Sequence, residues 1–319
     1  MKHEEAGLPA VRTAAAALAV PAGPSKALTG IIRAGDRVLQ IGPGPAAVEL
    51  AAWTGQPVTS VHETLADVQQ VLAPLGPAGR NARTVDARVG DLFEGRPDAG
   101  PYDVIVVTAG IAGLSPRWLD QLAARGVIVA PVALGGLHPW VVAGRDVRDG
   151  LMYGCVLAVD PPGVGPQPAA GPLYAGVRTH RARHGEPLPQ PEFAPQWAGV
   201  VPPQLTPEQY ADLWLWLATK DDRTTAAEAE GTGWGPGCVL VSGSSAVHVR
   251  PQGLWVSGTD EVTKALAQVT GELVHTWGAR RRPQHTEMTC RLSTSPEAGS
   301  AALVVPAGWA QGRPVTLPR

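Results

Sequence analysis

The chain is poor in several features that would have given its function away. Its 319 residues include 3 cysteines, Cys155, Cys238 and Cys290, far apart and with no Cys-x-x-Cys pair. That argues against a disulfide framework and a zinc knuckle, and fits a reduced, cytoplasmic setting. Aromatic residues make up only 5%, with 2 phenylalanines. The formal net charge of −2 argues against a general polyanion binder, so no nucleic acid partner is expected. No apolar run reaches membrane-spanning length, so no membrane partner is expected either. The apolar stretch 14–20 is short and follows Glu4 and Glu5, unlike a secretory signal with its basic start. Residues 1–24 therefore read as a lead-in or lid. Hydrophobic content is 44%, enough for real cores, and the length suits two domains. The 38 glycines and 32 prolines partly reflect compositional bias and blur the loop boundaries.

The first half alternates strand-like and helix-like segments. Strands are expected at 38–41, 58–61, 83–89, 104–107 and 127–132, and helices at 46–53, 65–75 and 116–124. The last helix has Ser115 as its cap and Pro116 in its first turn. The run 104–107 is uninterrupted and β-branched, as in a fully buried parallel strand. This spacing predicts an α/β doubly wound sheet over 25–150, with ligand loops at the carboxyl ends of the strands. Residues 151–203 are rich in Pro and Gly and read as a linker or extension. Residues 204–319 read as a small α+β domain, with substrate binding as its candidate role. It has helices at 206–219 and 260–277, and short strands at 238–241, 246–250, 254–257 and 286–292. Seven of the ten tryptophans lie beyond residue 150. They read as core residues, with a peptide-binding groove as the alternative.

The segment Gln40-Ile41-Gly42-Pro43-Gly44-Pro45-Ala46 ends the first strand in a glycine turn and opens a helix. Glycines let the backbone approach a ligand closely, and a helix start offers unpaired N–H groups. Downstream come Val58-Thr59-Ser60-Val61-His62-Glu63, Val89-Gly90-Asp91-Leu92, and Pro101-Tyr102-Asp103 running into Val104-Ile105-Val106-Val107-Thr108-Ala109. Leu119-Asp120-Gln121-Leu122 and Gly126-Val127-Ile128-Val129-Ala130-Pro131-Val132 follow. This series, over about residues 25 to 135, resembles the class I S-adenosylmethionine-dependent methyltransferases. It looks most like their protein-L-isoaspartate O-methyltransferase branch. With a tryptophan-containing second half, it is similar to actinobacterial relatives tied to ribosomally made, modified peptides. The resemblance implies a Rossmann-like methyltransferase sheet and S-adenosyl-L-methionine as cofactor. It also implies O-methylation of an aspartate side chain in a peptide, the ester then closing to a succinimide.

Carried onto this sequence, the resemblance implies cofactor-binding roles for Gln40, Gly42, Gly44, His62, Glu63, Asp91, Leu92, Thr108 and Ala109. Thr108, with Ser25 as a second hydroxyl, is the expected catalytic position. Gly42 and Gly44 would pass close to the methionine part and Asp91 would accept from the adenine amino group. His62 stands where the family carries an acid for the ribose, with Glu63 next to it. Pro43 and Pro45 flank Gly44, Ala46 replaces a third glycine, and the family's upstream Thr-Ile-Ser-like segment is missing. Two rival readings stay open: a non-catalytic relative that binds a peptide or partner, and a small-molecule O-methyltransferase. Other features read as structural. His180 and His184 have helical metal spacing but sit in a basic, Pro/Gly-rich stretch, so no metal is expected. Arg280-Arg281-Arg282 reads as the charged end of a helix, Asp103 as a strand-entry residue, and Ser242-Gly243-Ser244-Ser245 as a turn.

Overall fold

Short aliphatic runs separated by amphipathic segments form a parallel sheet when both faces are covered. Here β1 (Val38–Ile41), α1 (Ala46–Thr54), β2 (Val58–His62), α2 (Leu65–Leu72), β3 (Val85–Val89), β4 (Tyr102–Val107), α3 (Pro116–Asp120) and β5 (Leu122–Pro131) follow in turn. The computed structural model describes residue 28 and residues 30–44, 46–75, 84–145, 152–159, 195–199, 204–227, 234–293 and 303–309. β1 pairs in parallel with β2 and β4, β2 with β3, and β4 with β5. The parallel order is therefore 3-2-1-4-5, a doubly wound sheet as the sequence predicts, with its switch point between β1 and β4. α2 starts in a capping box: Thr64 accepts from the Asp67 N–H, and the Asp67 carboxylate accepts from the Thr64 N–H.

α3 stops at Asp120, short of the expected 124, because pairing with β4 overrides the helical preference of Leu122-Ala123-Ala124. The Tyr102 N–H donates to the Gln121 carbonyl at 2.8 Å. The Gln121 side chain is fixed as well, donating to the Glu94 and Arg117 carbonyls and accepting from the Arg96 N–H.

Past β5 the sheet turns antiparallel, with β6 (Trp140–Arg145) and then β7 (Met152–Ala158). β7 lies within the segment read as a linker or extension. A second, antiparallel sheet follows, made of β8 (Gln196–Gly199), β9 (Thr224–Ala227), β10 (Gly237–Ser242), β11 (Ser245–Arg250) and β12 (Gly253–Ser257). Its helices are α4 (Pro207–Lys220) and α5 (Glu261–Ala279). The chain then returns: β13 (Met288–Ser293) pairs with β7, and β14 (Leu303–Trp309) pairs with β13, completing a nine-stranded sheet.

The two halves share a core. Val38, Val104 and Val106 face the side of the large sheet that α1 and α2 cover. Their neighbours Leu39, Ile41, Ile105 and Val107 join one cluster with Leu217 and Trp214 of α4, Trp277 of α5 and Leu240 and Val247 of the small sheet. Burying a tryptophan removes about 150–250 Å² from water, roughly 4–6 kcal/mol at about 25 cal/mol/Å² before entropy is charged against it. Trp214, Trp216 and Trp277 are such core residues, whereas Trp197 is 54% exposed.

Candidate active site

The carboxyl ends of the parallel strands are stitched together by backbone bonds. The Thr108 N–H donates to the Ile41 carbonyl at 2.9 Å, the Gly42 N–H to Val61 at 3.0 Å, and the Gly90 N–H to His62 at 2.9 Å. Gly42, His62, Gly90-Asp91 and Thr108-Ala109 thus meet beside the switch point, where open α/β sheets place their ligands.

The loop after β1 takes its shape from its glycines. Gly42 and Gly44 have φ of +105° and +100°, a region side chains rarely enter. A Cβ on Gly42 would lie 3.0 Å from Thr108 Oγ1 and 3.3 Å from the Ala109 nitrogen, so β4 approaches the bare backbone. At Gly44 a Cβ would meet nothing within 4 Å, so that part of the loop faces open space. The Thr108 hydroxyl is 2.7 Å from the Pro43 carbonyl and 3.2 Å from that of Ile41, and both are acceptors. Its single proton therefore goes chiefly to Pro43, tying the loop to β4.

Beneath the loop lies a buried polar chain. Gln40 and Ser60 are register partners on β1 and β2, and His62 follows Ser60 on the same face. All three are fully buried. Gln40 Nε2 donates to the Gly42 carbonyl at 2.8 Å and to Thr108 Oγ1 at 3.3 Å. Gln40 Oε1 accepts from the Ser60 hydroxyl, and Ser60 Oγ lies 2.6 Å from His62 Nε2. With the Ser60 proton committed to Gln40, the imidazole is the donor in the second bond. That places the His62 proton on Nε2 and leaves Nδ1 as a buried acceptor without a hydrogen-bond partner. Burial pushes the His62 imidazole below its ordinary range, opposed by the Asp67 charge and the Gly42 backbone. Ser60 escaped the sequence reading, although its two-residue spacing from His62 on a strand put both on one face.

The exposed carboxylates sit at the ends of β2 and β3. Glu63 is exposed, one residue beyond the buried His62. Asp91 is exposed too, and its Oδ1 accepts from the Phe93 N–H at 2.8 Å, an Asx turn that holds the side chain in place. The Leu92 side chain belongs to the core, and its carbonyl accepts from Trp118 Nε1 at 2.8 Å. Ala109 is buried against the loop. Ser25, His180 and His184 lie outside the described residues. Among the described residues no group of three His, Cys, Asp or Glu could hold a metal. No helix among them is long and apolar enough to cross a membrane. Asp103 accepts from the Arg37 N–H at 2.9 Å where the chain enters β4. Ser242 to Ser245 form the turn between β10 and β11. Arg280 and Arg282 lie over the rings of Trp216 and Trp277 at 5.6 and 5.8 Å.

Known proteins match the same part of the chain. The family described as "Protein-L-isoaspartate(D-aspartate) O-methyltransferase (PCMT)" matches residues 17–149. A protein-L-isoaspartate O-methyltransferase of Methanoculleus marisnigri is 40% identical over 106 residues, which is 32% of this chain and 46% of that protein. One from Methylorubrum extorquens is 35% identical over 119 residues, 37% of this chain and 51% of that protein. The chain thus spans about half the length of these relatives. A solved protein-L-isoaspartate O-methyltransferase structure superposes with a TM-score of 0.44 at 17% identity, covering 88% of this chain and 80% of the other. Residues 17–149 are thus similar to the protein-L-isoaspartate O-methyltransferase family, and the parallel 3-2-1-4-5 sheet described within them has the Rossmann-like class I methyltransferase fold.

Proposed function

We propose that the chain is an S-adenosylmethionine-dependent O-methyltransferase acting on a side-chain carboxylate of a peptide, with aspartate as the acceptor. The observation that carries this is the left-handed Gly42–Gly44 loop packed on Thr108 and Ala109 at the switch point, within the segment that matches the family. The residues present fit the cofactor at three places. The loop exposes bare backbone at Gly44. Asp91 has one oxygen engaged by Phe93, so its other oxygen can accept from an amino group. Glu63 offers an exposed carboxylate for ribose hydroxyls at the end of β2. His62 fits less well: its acceptor nitrogen is there, but the ring is fully buried under the loop.

When bound, the cofactor supplies an electrophilic methyl group on a sulfonium. The acceptor is already an anion at neutral pH, so the protein needs no general base. Its residues hold the carboxylate in line and exclude water, positioning effects worth up to about 7–11 kcal/mol in favourable cases. Thr108 acts on the loop that shapes the cradle and is thus a positioning residue. In the proposed product, the backbone nitrogen following the aspartyl ester attacks the ester carbon and methanol leaves, giving a succinimide. Such a step suits a peptide-tailoring pathway.

Calorimetry with S-adenosylmethionine and S-adenosylhomocysteine tests the reading, with micromolar affinity expected. No heat and no thermal shift at millimolar ligand would sink it. Asp91→Ala is expected to weaken binding by about 1–3 kcal/mol, the value of a charge-assisted hydrogen bond. One observation favours a second reading, a peptide-binding protein that transfers no methyl group: a buried His62 stands where the family carries its ribose-binding acid. The same titration separates the two.

A further inference from the structure

The small sheet buries one face against α4 and α5. Its other face carries Trp197 of β8 opposite Trp255 of β12, and Trp255 opposite His248 of β11. Arg250, two residues past His248, shares this face. Trp234, just before β10, closes the cluster, its ring 5.1 Å from Trp255 and 5.0 Å from the Arg250 guanidinium. Two glycines allow this packing: a Cβ on Gly237 would overlap the Arg250 guanidinium, and one on Gly253 the Trp197 ring.

Arg250 is only 8% exposed. Its Nη1 donates to the Gly235 carbonyl at 2.8 Å. Its Nε and Nη2 are buried and have no hydrogen-bond partner, and among the described residues no carboxylate pairs with it. These two atoms form the guanidinium edge that grips carboxylates elsewhere in the molecule. Arg223 Nε and Nη2 donate to the two Asp221 oxygens at 2.9 and 2.5 Å. Arg96 holds Asp98 through the same pair of atoms. A desolvated guanidinium without a counter-ion is unfavourable. His248 supplies none, since its Nε2 is bonded to Ser257 at 3.0 Å and burial with the Arg250 charge opposes its protonation.

We propose that this face recognises a carboxylate carried by an extended peptide. The carboxylate would lie in the Nε/Nη2 fork of Arg250, between tryptophan rings that exclude water and strengthen the pair. Two features favour a peptide over a free acid. Trp197, 54% exposed, offers an apolar platform beside the fork. Among the described residues β8 is an edge strand of its sheet, with backbone groups able to pair with an added chain. The site goes beyond methyl transfer and does not depend on it.

The test uses the full chain without cofactor. Tryptophan fluorescence and the arginine Nε–H signals in a ¹H–¹⁵N spectrum are followed during titration with acetyl-Ala-Phe-Asp-Ala-amide, its Asn counterpart, succinate and inorganic phosphate. The Asp peptide is expected to bind at least tenfold more tightly than the Asn peptide and both small anions, shifting the Arg250 signal. Arg250→Lys keeps the charge but loses the fork and should weaken the Asp peptide at least tenfold. Equal binding of Asp and Asn peptides, or no response from either at millimolar concentration, overturns the site. Succinate or phosphate binding as tightly as the peptide overturns the peptide assignment. The Asp/Asn comparison on the unaltered chain holds even where the variant fails to fold.

Discussion

Each sheet buries a histidine next to a serine. His62 Nε2 lies 2.6 Å from Ser60 in the parallel sheet, and His248 Nε2 lies 3.0 Å from Ser257 in the antiparallel one. Both rings are fully buried, and both leave Nδ1 without a hydrogen-bond partner. Their surroundings separate them. The Asp67 charge partly offsets the burial of His62, whereas Arg250 adds to the burial of His248 and pushes it down to about 4. The serines differ as well: Ser60 passes its bond on through Gln40 to the Gly42 loop, while Ser257 is bonded to His248. The same pair thus supports the Gly42 loop in one sheet and, in the other, borders an arginine without a carboxylate partner among the described residues. Neighbouring charge and connectivity decide its role.

The largest expected effect is on acid stability. A histidine at about 4 in the fold and about 6.5 unfolded takes up its proton preferentially when unfolded. Its penalty is absent above about pH 6.5, grows as pH falls, and is complete below about pH 4, at about 3 kcal/mol. Urea titrations of the parent and of His248→Gln should diverge over that window, the variant losing less stability on acidification. The His62→Gln variant should change the slope less, because Asp67 already opposes the shift. Equal slope changes would break the distinction. The next effect is smaller. Ser60→Ala strands the Gln40 oxygen and the His62 Nε2–H in the interior and should cost about 2 kcal/mol, whereas Ser257→Ala strands one ring nitrogen and should cost about 1 kcal/mol. Chemical denaturation measures both, and a cost at Ser257 equal to that at Ser60 would mean that the chain through Gln40 transmits nothing.

Much of the parallel half was legible in the sequence, because its signals are local. Strand 38–41 and the Gly42 turn follow from an aliphatic run and residues suited to left-handed φ, and 58–61 needed only His62 added. Three strands of the small sheet, β10, β11 and β12, were legible to within a residue, since Gly/Ser turns bound them, whereas β8 and β9 carry no such local signal and were not expected. What stayed hidden depends on distant partners. Nothing local says that Met288–Ser293 pairs with β7 of the large sheet and not with the small domain that precedes it. The end of α3 at Asp120 is likewise set by Tyr102, which is remote in sequence. At the candidate site, the left-handed turn at Gly42 and the place of Asp91 just past β3 were legible from residue type and spacing. The burial of His62 was not, because it depends on Gln40 in a neighbouring strand. Arg250 and Trp234 went unnoticed for the same reason: their juxtaposition exists only once β10 and β11 pair.

The smallest effect bears most directly on how the parallel site works. Thr108→Val keeps the branched shape and removes the hydroxyl that joins Pro43 to β4. The bond to Pro43 is lost along with the long 3.3 Å bond from Gln40 Nε2, which keeps its Gly42 partner, so folding stability should fall by about 0.5–1 kcal/mol. The site offers two uses for that hydroxyl, and kinetics separates them. A group that touches the reacting carboxylate would lower kcat when removed and leave cofactor affinity alone. A group that holds the loop would weaken cofactor binding and leave kcat near the parent value. The 2.7 Å bond to Pro43 predicts the second pattern. A kcat that falls tenfold with unchanged cofactor affinity would show that the hydroxyl leaves Pro43 during turnover, and would return Thr108 to the reacting centre.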